Sequence, residues 1–382
     1  MRVVFQSRKT PYPETMFAER LDKARSLMEK EGIDALLLSV GADLPYFTGY
    51  EAMALERLTM LVVPRGDKAK LIVPALEAPR VTAHPEIFTI HAWTESEDPI
   101  ALVANEITSA KSVAIGDTTW TRFTIELLNK LPTLELCRAN KITSPIRSIK
   151  SPQELERLQK AASAVDRIAS RLQNGEIHLI GQTESQVSQE LGNQIVEEGH
   201  HRVNFAIVAA GENAASPHHE PGSRLIQENE IVLCDFGGTW VGEDGVGYCS
   251  DVTRCVWTGN PPEEFLNLYD VLQYAQSEQV KAATSGTPAE EIDRIGRKII
   301  SDEGFGQYFI HRTGHGIGVE AHEDPYIVEG NATPVSSGNV FSIEPGIYIP
   351  EKWGARLEDI VAVTDEGPRS LNNVNHDLAI LG

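Results

Sequence analysis

Four carboxylates and one imidazole stand in the second half of this sequence, in strand-like or glycine-rich contexts that normally exclude charge. Asp235 closes the apolar run Ile-Val-Leu-Cys, Asp251 interrupts Tyr-Cys-Ser-Asp-Val-Thr, and Glu344 directly follows Val-Phe-Ser-Ile. Glu358 lies in Ala-Arg-Leu-Glu-Asp-Ile-Val, where period-2 alternation predicts Arg356, Glu358 and Ile360 on one face and Leu357 and Asp359 on the other. His315 sits in Thr-Gly-His-Gly-Ile-Gly, whose glycines let backbone come close to whatever the imidazole touches. An uncompensated buried carboxylate costs roughly several kcal/mol, and a shared cation removes most of that cost. This oxygen-rich, borderline-hard donor set suits Mn, Co, Zn or Fe and disfavours copper or a thiolate cluster. Four carboxylates over-neutralise a single dication, so two dications about 3.5 Å apart, sharing carboxylates and a hydroxide, fit better.

Singly, each of these residues reads as a turn acid or a structural histidine. Their weight comes from ordered co-occurrence with His218, His311 and His322, where His311 and His315 are four apart and His322 is seven beyond. Seven motifs carry the pattern. They are Ser-Pro-His-His (216–219), Asp-Phe-Gly-Gly (235–238), Ser-Asp-Val-Thr-Arg (250–254), His-Arg-Thr-Gly-His-Gly-Ile-Gly (311–318), Ala-His-Glu-Asp-Pro (321–325), Ile-Glu-Pro-Gly-Ile-Tyr (343–348) and Ala-Arg-Leu-Glu-Asp (355–359). In that order they resemble the pita-bread metallopeptidases, the group of prolidase, aminopeptidase P, creatinase and methionine aminopeptidase.

The resemblance implies an α+β catalytic domain cleaving the bond before proline in Xaa-Pro dipeptides or short Xaa-Pro peptides, with two divalent ions per chain, manganese foremost. Asp235 would chelate one ion, His315 and Glu344 the other, and Asp251 and Glu358 both. A hydroxide held between the ions would be the nucleophile. Glu344 would move its proton to the leaving nitrogen, and His218 and His322 would bind the substrate carbonyl and the developing oxyanion. Arg356 would orient a carboxylate, with His311 and Tyr348 as pocket walls. Leu-Pro-Tyr-Phe-Thr-Gly-Tyr at 44–50 resembles the creatinase-type N-terminal domain. Its presence argues against methionine aminopeptidase and implies a homodimer.

Two departures stand out. The interval from Asp235 to Asp251 is widened by Val-Gly-Glu-Asp-Gly-Val-Gly, which predicts a longer hairpin tip. Tyr326 occupies the place where prolidases usually carry an arginine for the dipeptide's terminal carboxylate. Tripeptides Xaa-Pro-Yaa are therefore expected to be cleaved at least as well as dipeptides, unless another cation such as Arg57 or Arg356, or one from a partner subunit, reaches the spot. Alternatives on the same fold are a hydrolase without proline preference, a creatinase-like amidinohydrolase and a non-catalytic binding module. The last two have no reason to keep all five donor positions filled.

Positioning these residues requires two domains, as 382 residues exceed what one core usually holds. Phe17, Leu21, Ala24, Leu27 and Met28 predict a helix over 16–32. Short apolar runs at 34–40, 58–63, 70–73, 88–92 and 113–115 follow it, predicting an α/β domain over 1–148. Lys141 to Pro152 reads as an irregular boundary, after which Ser-Pro-Gln-Glu at 151–154 caps a new helix. The pita-bread domain over 149–382 has helices near 184–198, 262–283 and 289–303. Its strands fall at 203–209, 231–236, 247–257, 340–349 and 355–363, forming an antiparallel sheet.

A net charge of -21 and a pI of about 5.0 repel phosphate backbones and anionic lipid, so the expected partner is a small peptide, with no nucleic acid and no membrane. Cys137, Cys234, Cys249 and Cys255 form no C-x-x-C pair and read as buried reduced thiols, three of them in or beside apolar runs. With no apolar leader in the first 13 residues and no run of 18 apolar residues, the chain is expected in the cytoplasm.

Overall fold

The computed structural model describes residues 13–381, so the N-terminal stretch in which no leader is expected lies outside the described residues. One compact unit takes the chain up to Ile146 together with Gly242–Val246. Its sheet comprises β1 (Ala35–Leu38), β2 (Met60–Pro64), β3 (Ala69–Pro74), β4 (Phe88–Trp93), β5 (Ser112–Ile115) and β6 (Glu135–Arg138), in the order β4-β3-β2-β1-β5-β6. β2 runs antiparallel to both β1 and β3, and the other pairs are parallel. β1 is Ala-Leu-Leu-Leu, buried at every residue, as a strand covered on both faces must be. Around the sheet lie α1 (Pro13–Glu31), α2 (Asp43–Thr48), α3 (Pro99–Glu106), α4 (Thr121–Lys130) and α5 (Asn140–Arg147). α1 buries Phe17, Leu21, Ala24 and Met28 along one stripe.

α2 ends at Gly49, whose φ of 70° only glycine adopts freely, and a Cβ there would lie 2.3 Å from the Asp244 carbonyl oxygen. The lengthened hairpin tip thus belongs to the first unit, closed against a glycine of the 44–50 motif. The stretch expected to hold the domain boundary carries a helix, α5, although its sequence shows little periodic hydrophobicity. Ala139, Ile142, Thr143 and Ile146 are buried, and this short apolar face outweighs the one helical hydrogen bond that Pro145 cannot make. Eight residues are too few for periodicity to reveal such a face.

The second unit holds Arg147–Val241 and the chain from Gly247 onward. α6 (Pro152–Gln173) opens with the expected reciprocal Ser151/Glu154 cap, and α7 (Glu184–Glu197) with a Thr183/Gln186 cap. α8 (Glu263–Ala282) and α9 (Ala289–Asp302) follow. β7 (Arg202–Ala210), β8 (Ile231–Val241), β9 (Gly247–Cys249), β10 (Val252–Thr258) and β18 (Ala379–Leu381) form one sheet, ordered β18-β10-β8-β7 with β9 beside β8. A second contains β11 (Gly314–Gly316), β12 (Glu323–Ile327), β13 (Val340–Ile343), β16 (Asp359–Thr364) and β17 (Gly367–Ser370), and β14 (Gly346–Ile349) pairs with β15 (Trp353–Arg356). Every pair is antiparallel except β10–β18.

Alternation along β8 assigns its two faces. Val232, Cys234 and Phe236 pack with α6 and α7, whereas Ile231 and Leu233 pack with α8 and β15. Asp235 continues this second set.

Three strands expected to be continuous are broken, each at a candidate ligand. The 247–257 run breaks at Ser250–Asp251, the 340–349 run at Glu344–Pro345 and the 355–363 run at Leu357–Glu358. At the latter two the chain changes partners, since β13 pairs with β16 but β14 with β15. Arg356, Glu358 and Ile360 therefore do not share one flat strand face, as simple alternation predicts. Cys137, expected to be buried like the other three cysteines, is only half-buried, because it lies on β6, the last strand of its sheet.

Candidate metal centre

The strand breaks bring the acids together. Asp235 is on β8, Asp251 between β9 and β10, His315 on β11, Glu344 just past β13, and Glu358 between β15 and β16. Glu358 keeps an antiparallel bridge to Thr253, which joins the β15–β16 junction to the first sheet. Asp251, His315 and Glu358 each offer a ligand atom within 4.8 Å of the others. A Cβ on Gly314 would lie 1.8 Å from the Ser342 carbonyl oxygen and one on Gly316 2.3 Å from that of Asp324, so glycines must flank His315 where β11 is wedged between its neighbours.

The site is buried and unbalanced. Asp235 Oδ1, Asp251 Oδ1 and Glu358 Oε1 are buried with no hydrogen-bond partner. Burial raises Asp251 and Glu358 well above the usual carboxylate range, and the surrounding carboxylates raise them further. Burial also raises Asp235, against the opposing pull of Arg356. Glu344 goes the other way: burial works against its charge, but the hydrogen bond and charge of His315 hold it down at about 2.

His315 Nε2 lies 3.1 Å from Glu344 Oε1 and 4.0 Å from Asp251 Oδ2. With Nδ1–H donating to the Gly316 carbonyl at 3.1 Å, Nε2 meets Glu344 favourably only through an added proton or a metal ion. The Asp251 and Glu358 carboxylates grouped with this imidazole, each with an orphaned oxygen, fit a divalent cation in the site.

A polar shell fixes these donors. Arg356 Nη2 donates to Asp235 Oδ2 at 2.5 Å, Nη1 to the Tyr348 hydroxyl at 2.9 Å and Nε to Thr253 Oγ1 at 3.2 Å. Thr253 in turn donates to Glu358 Oε2 at 2.6 Å. Ser342 Oγ accepts from the His315 backbone N–H at 3.0 Å and donates to Glu344 Oε1 at 3.0 Å. Tyr348 Oη and His311 Nε2 are 2.8 Å apart, which extends the chain from Arg356 to His311. Sequence reasoning missed Thr253 and Ser342. Each lies two residues from a ligand candidate, and strand alternation is the signal that finds them.

The remaining candidates line one edge. His322, exposed on one side, packs its ring 3.8 Å from that of His315, and burial together with His315 lowers its pKa to about 4. His218 is exposed on the loop after Gly211–Ala215 and adds repulsion to both His311 and His322. That loop is held by buried Glu184, which accepts from Ala210 N, Asn213 Nδ2 and Gly222 N and pairs with His219 Nε2 at 2.8 Å. Tyr326 stands directly across from His315 in the β11–β12 ladder, and the Arg312 guanidinium lies over its ring at 4.5 Å. Of the other cations considered for this spot, Arg57 is bonded to Glu56 and Glu95, and Arg356 is committed as described.

Residues 156–365 match the model of metallopeptidase family M24, and residues 20–149 that of the creatinase/prolidase N-terminal domain. The chain is 38% identical over 370 residues to the probable dipeptidase PepE of Mycobacterium tuberculosis, covering 96% of this chain and 97% of that one. Dipeptidase PepE from Mycobacterium ulcerans superposes with a TM-score of 0.90 at 37% identity, covering 97% of this chain and 100% of that one. A prolidase from Thermococcus sibiricus gives 0.88 at 35%, covering 96% and 99%. With a creatinase-type domain ahead of a pita-bread domain, the chain belongs to metallopeptidase family M24.

Proposed function

We propose that this chain hydrolyses the peptide bond preceding proline in Xaa-Pro dipeptides and short Xaa-Pro peptides. It would use two divalent ions, manganese foremost, held by Asp235, Asp251, His315, Glu344 and Glu358. The observation that carries the metal reading is the trio of buried, unpartnered oxygens on Asp235, Asp251 and Glu358. Bound ions would supply Lewis-acid polarisation of the scissile carbonyl and an activated water.

The chain's own groups do the rest. Glu344 holds a carboxylate at the centre and carries a proton toward the leaving nitrogen. His322, neutral at pH 7 with its pKa near 4, donates an N–H to the carbonyl oxygen as charge develops, with His218 beside it. Arg356 orients Asp235 and, through Tyr348, braces His311 as a wall of the substrate site. The prolidase among its structural relatives supports proline before the other choices.

A second reading, a dipeptidase without proline preference, is favoured by the mycobacterial relatives, whose names specify dipeptides alone. The homodimer reading stands on family resemblance, and the cytoplasmic reading draws support from the free cysteines, which suit a reducing compartment. No helix among the described residues is long and apolar enough to cross a membrane. The test is turnover of Ala-Pro and Met-Ala by manganese-loaded protein. Preferential cleavage of Ala-Pro is expected, and equal or faster cleavage of Met-Ala would transfer the assignment to the second reading.

A further inference from the structure

Arg312, three residues before His315, stands without an acid partner among the described residues, whereas Arg65, Arg80 and Arg138 each reach a carboxylate. Half-buried Arg312 has no hydrogen bond or ion pair with any acid among the described residues. Its guanidinium instead rests over the Tyr326 ring, 4.5 Å from the centroid. Tyr326 is directly opposite His315 in the ladder, so its ring and the cation over it lie on the same face as the metal-centre imidazole. A planar cation stacked on an aromatic face keeps its N–H edges available for a carboxylate.

We propose that Arg312, braced by Tyr326, receives the substrate's carboxylate, foremost the C-terminal carboxylate of a dipeptide. This rests on the peptidase reading above and reverses the expectation that Tyr326 leaves that carboxylate unpaired. Tyr326 is the platform and Arg312 supplies the charge, so specificity moves from an arginine on β12 to one just ahead of β11. An acidic side chain on the first substrate residue offers the same chemistry from another direction, and the test separates the two sources.

The experiment measures kcat/KM for Ala-Pro and its C-terminal amide in wild-type protein, Arg312→Gln and Arg312→Lys, with bound metal measured in each. Wild type is expected to favour the free acid by about 10- to 100-fold. That ratio should fall toward unity in Arg312→Gln, chiefly through KM, and recover in part in Arg312→Lys at unchanged metal content. An acid-to-amide ratio unaltered by Arg312→Gln overturns the proposal. If Arg312 dependence appears instead for Glu-Pro-amide over Ala-Pro-amide, the carboxylate is that of the first residue and the terminal assignment falls. The same comparison is run on Met-Ala and Met-Ala-amide. Failure of Ala-Pro turnover alone removes the proline reading, while the Met-Ala ratio still decides the role of Arg312.

Discussion

Glu358 and Asp359 are consecutive, equally buried acids with opposite electrostatic fates. Asp359 receives Arg254 Nη2 at 2.7 Å, His376 Nε2 at 2.7 Å and Gln276 Nε2 at 3.4 Å. Burial works against its charge, yet Arg254 and His376 hold its pKa below the ordinary value. Glu358 has Thr253 on one oxygen and nothing on the other, and it is pushed well above its ordinary value. Glu323 repeats the Asp359 solution, with burial overcome by Lys150 and Arg147 beside the turn that carries His322. Buried acids neutralised by protein cations hold the framework together. Those left unneutralised mark where a cation from outside belongs.

The sharpest way to break this contrast is to remove one acid of each kind. Asp251→Ala or Glu358→Ala is expected to abolish peptidase activity and cut bound metal, because each would delete a donor that the proposed centre shares. In chelated protein, Glu358→Gln should cost little stability, since it removes a charge that lacks a cation. Asp359→Ala strands the Arg254 guanidinium and should cost about 3 to 5 kcal/mol in urea unfolding. Equal destabilisation by Glu358→Gln and Asp359→Ala would end the distinction.

His322→Ala comes next. It should lower kcat roughly 10²- to 10³-fold with metal content near normal if, as proposed, the residue serves the carbonyl oxygen. Loss of metal together with activity would make His322 a ligand.

The smallest effect is on pH dependence, where the two classes of acid have opposite signs. For Asp251 and Glu358 the folded pKa is raised above the reference values of 3.8 and 4.5. Their contribution to the metal-free protein is therefore fully present below those values and is lost as pH rises through the folded ones. For Asp359 and Glu323 the folded pKa is lowered, so their contribution is present above the reference value and lost on acidification. Chelated protein should accordingly melt lower at about pH 7.5 than at about pH 5.5, and saturating manganese should narrow the gap. A gap unaffected by manganese would mean that the raised acids are not the metal donors.

Much of this was legible in residue types alone. Asp235, Asp251, His315, Glu344 and Glu358 could be singled out as candidates because charge inside apolar strand runs demands a reason. The capped start of α6 and the apolar stripe of α1 were legible for the same kind of local reason. The strand breaks at Asp251, Glu344 and Glu358 were not, because alternation runs across a change of sheet partner without altering its pattern. Nor was the Arg312–Tyr326 stack, which depends on pairing between β11 and β12. Thr253 and Ser342 were hidden by the commonness of hydroxyl residues in strands.

Metal titration of chelated protein tests the central claim most directly, with bound ions counted per chain and Ala-Pro turnover followed on the same samples. Activity should be absent at the start, rise with added manganese and saturate near two ions per chain, with Glu358→Ala failing to recover it. Saturation at one ion would revise the count alone. Full turnover by the metal-free chain would contradict the account, because the unpartnered oxygens of Asp235, Asp251 and Glu358 would then be buried for some other reason.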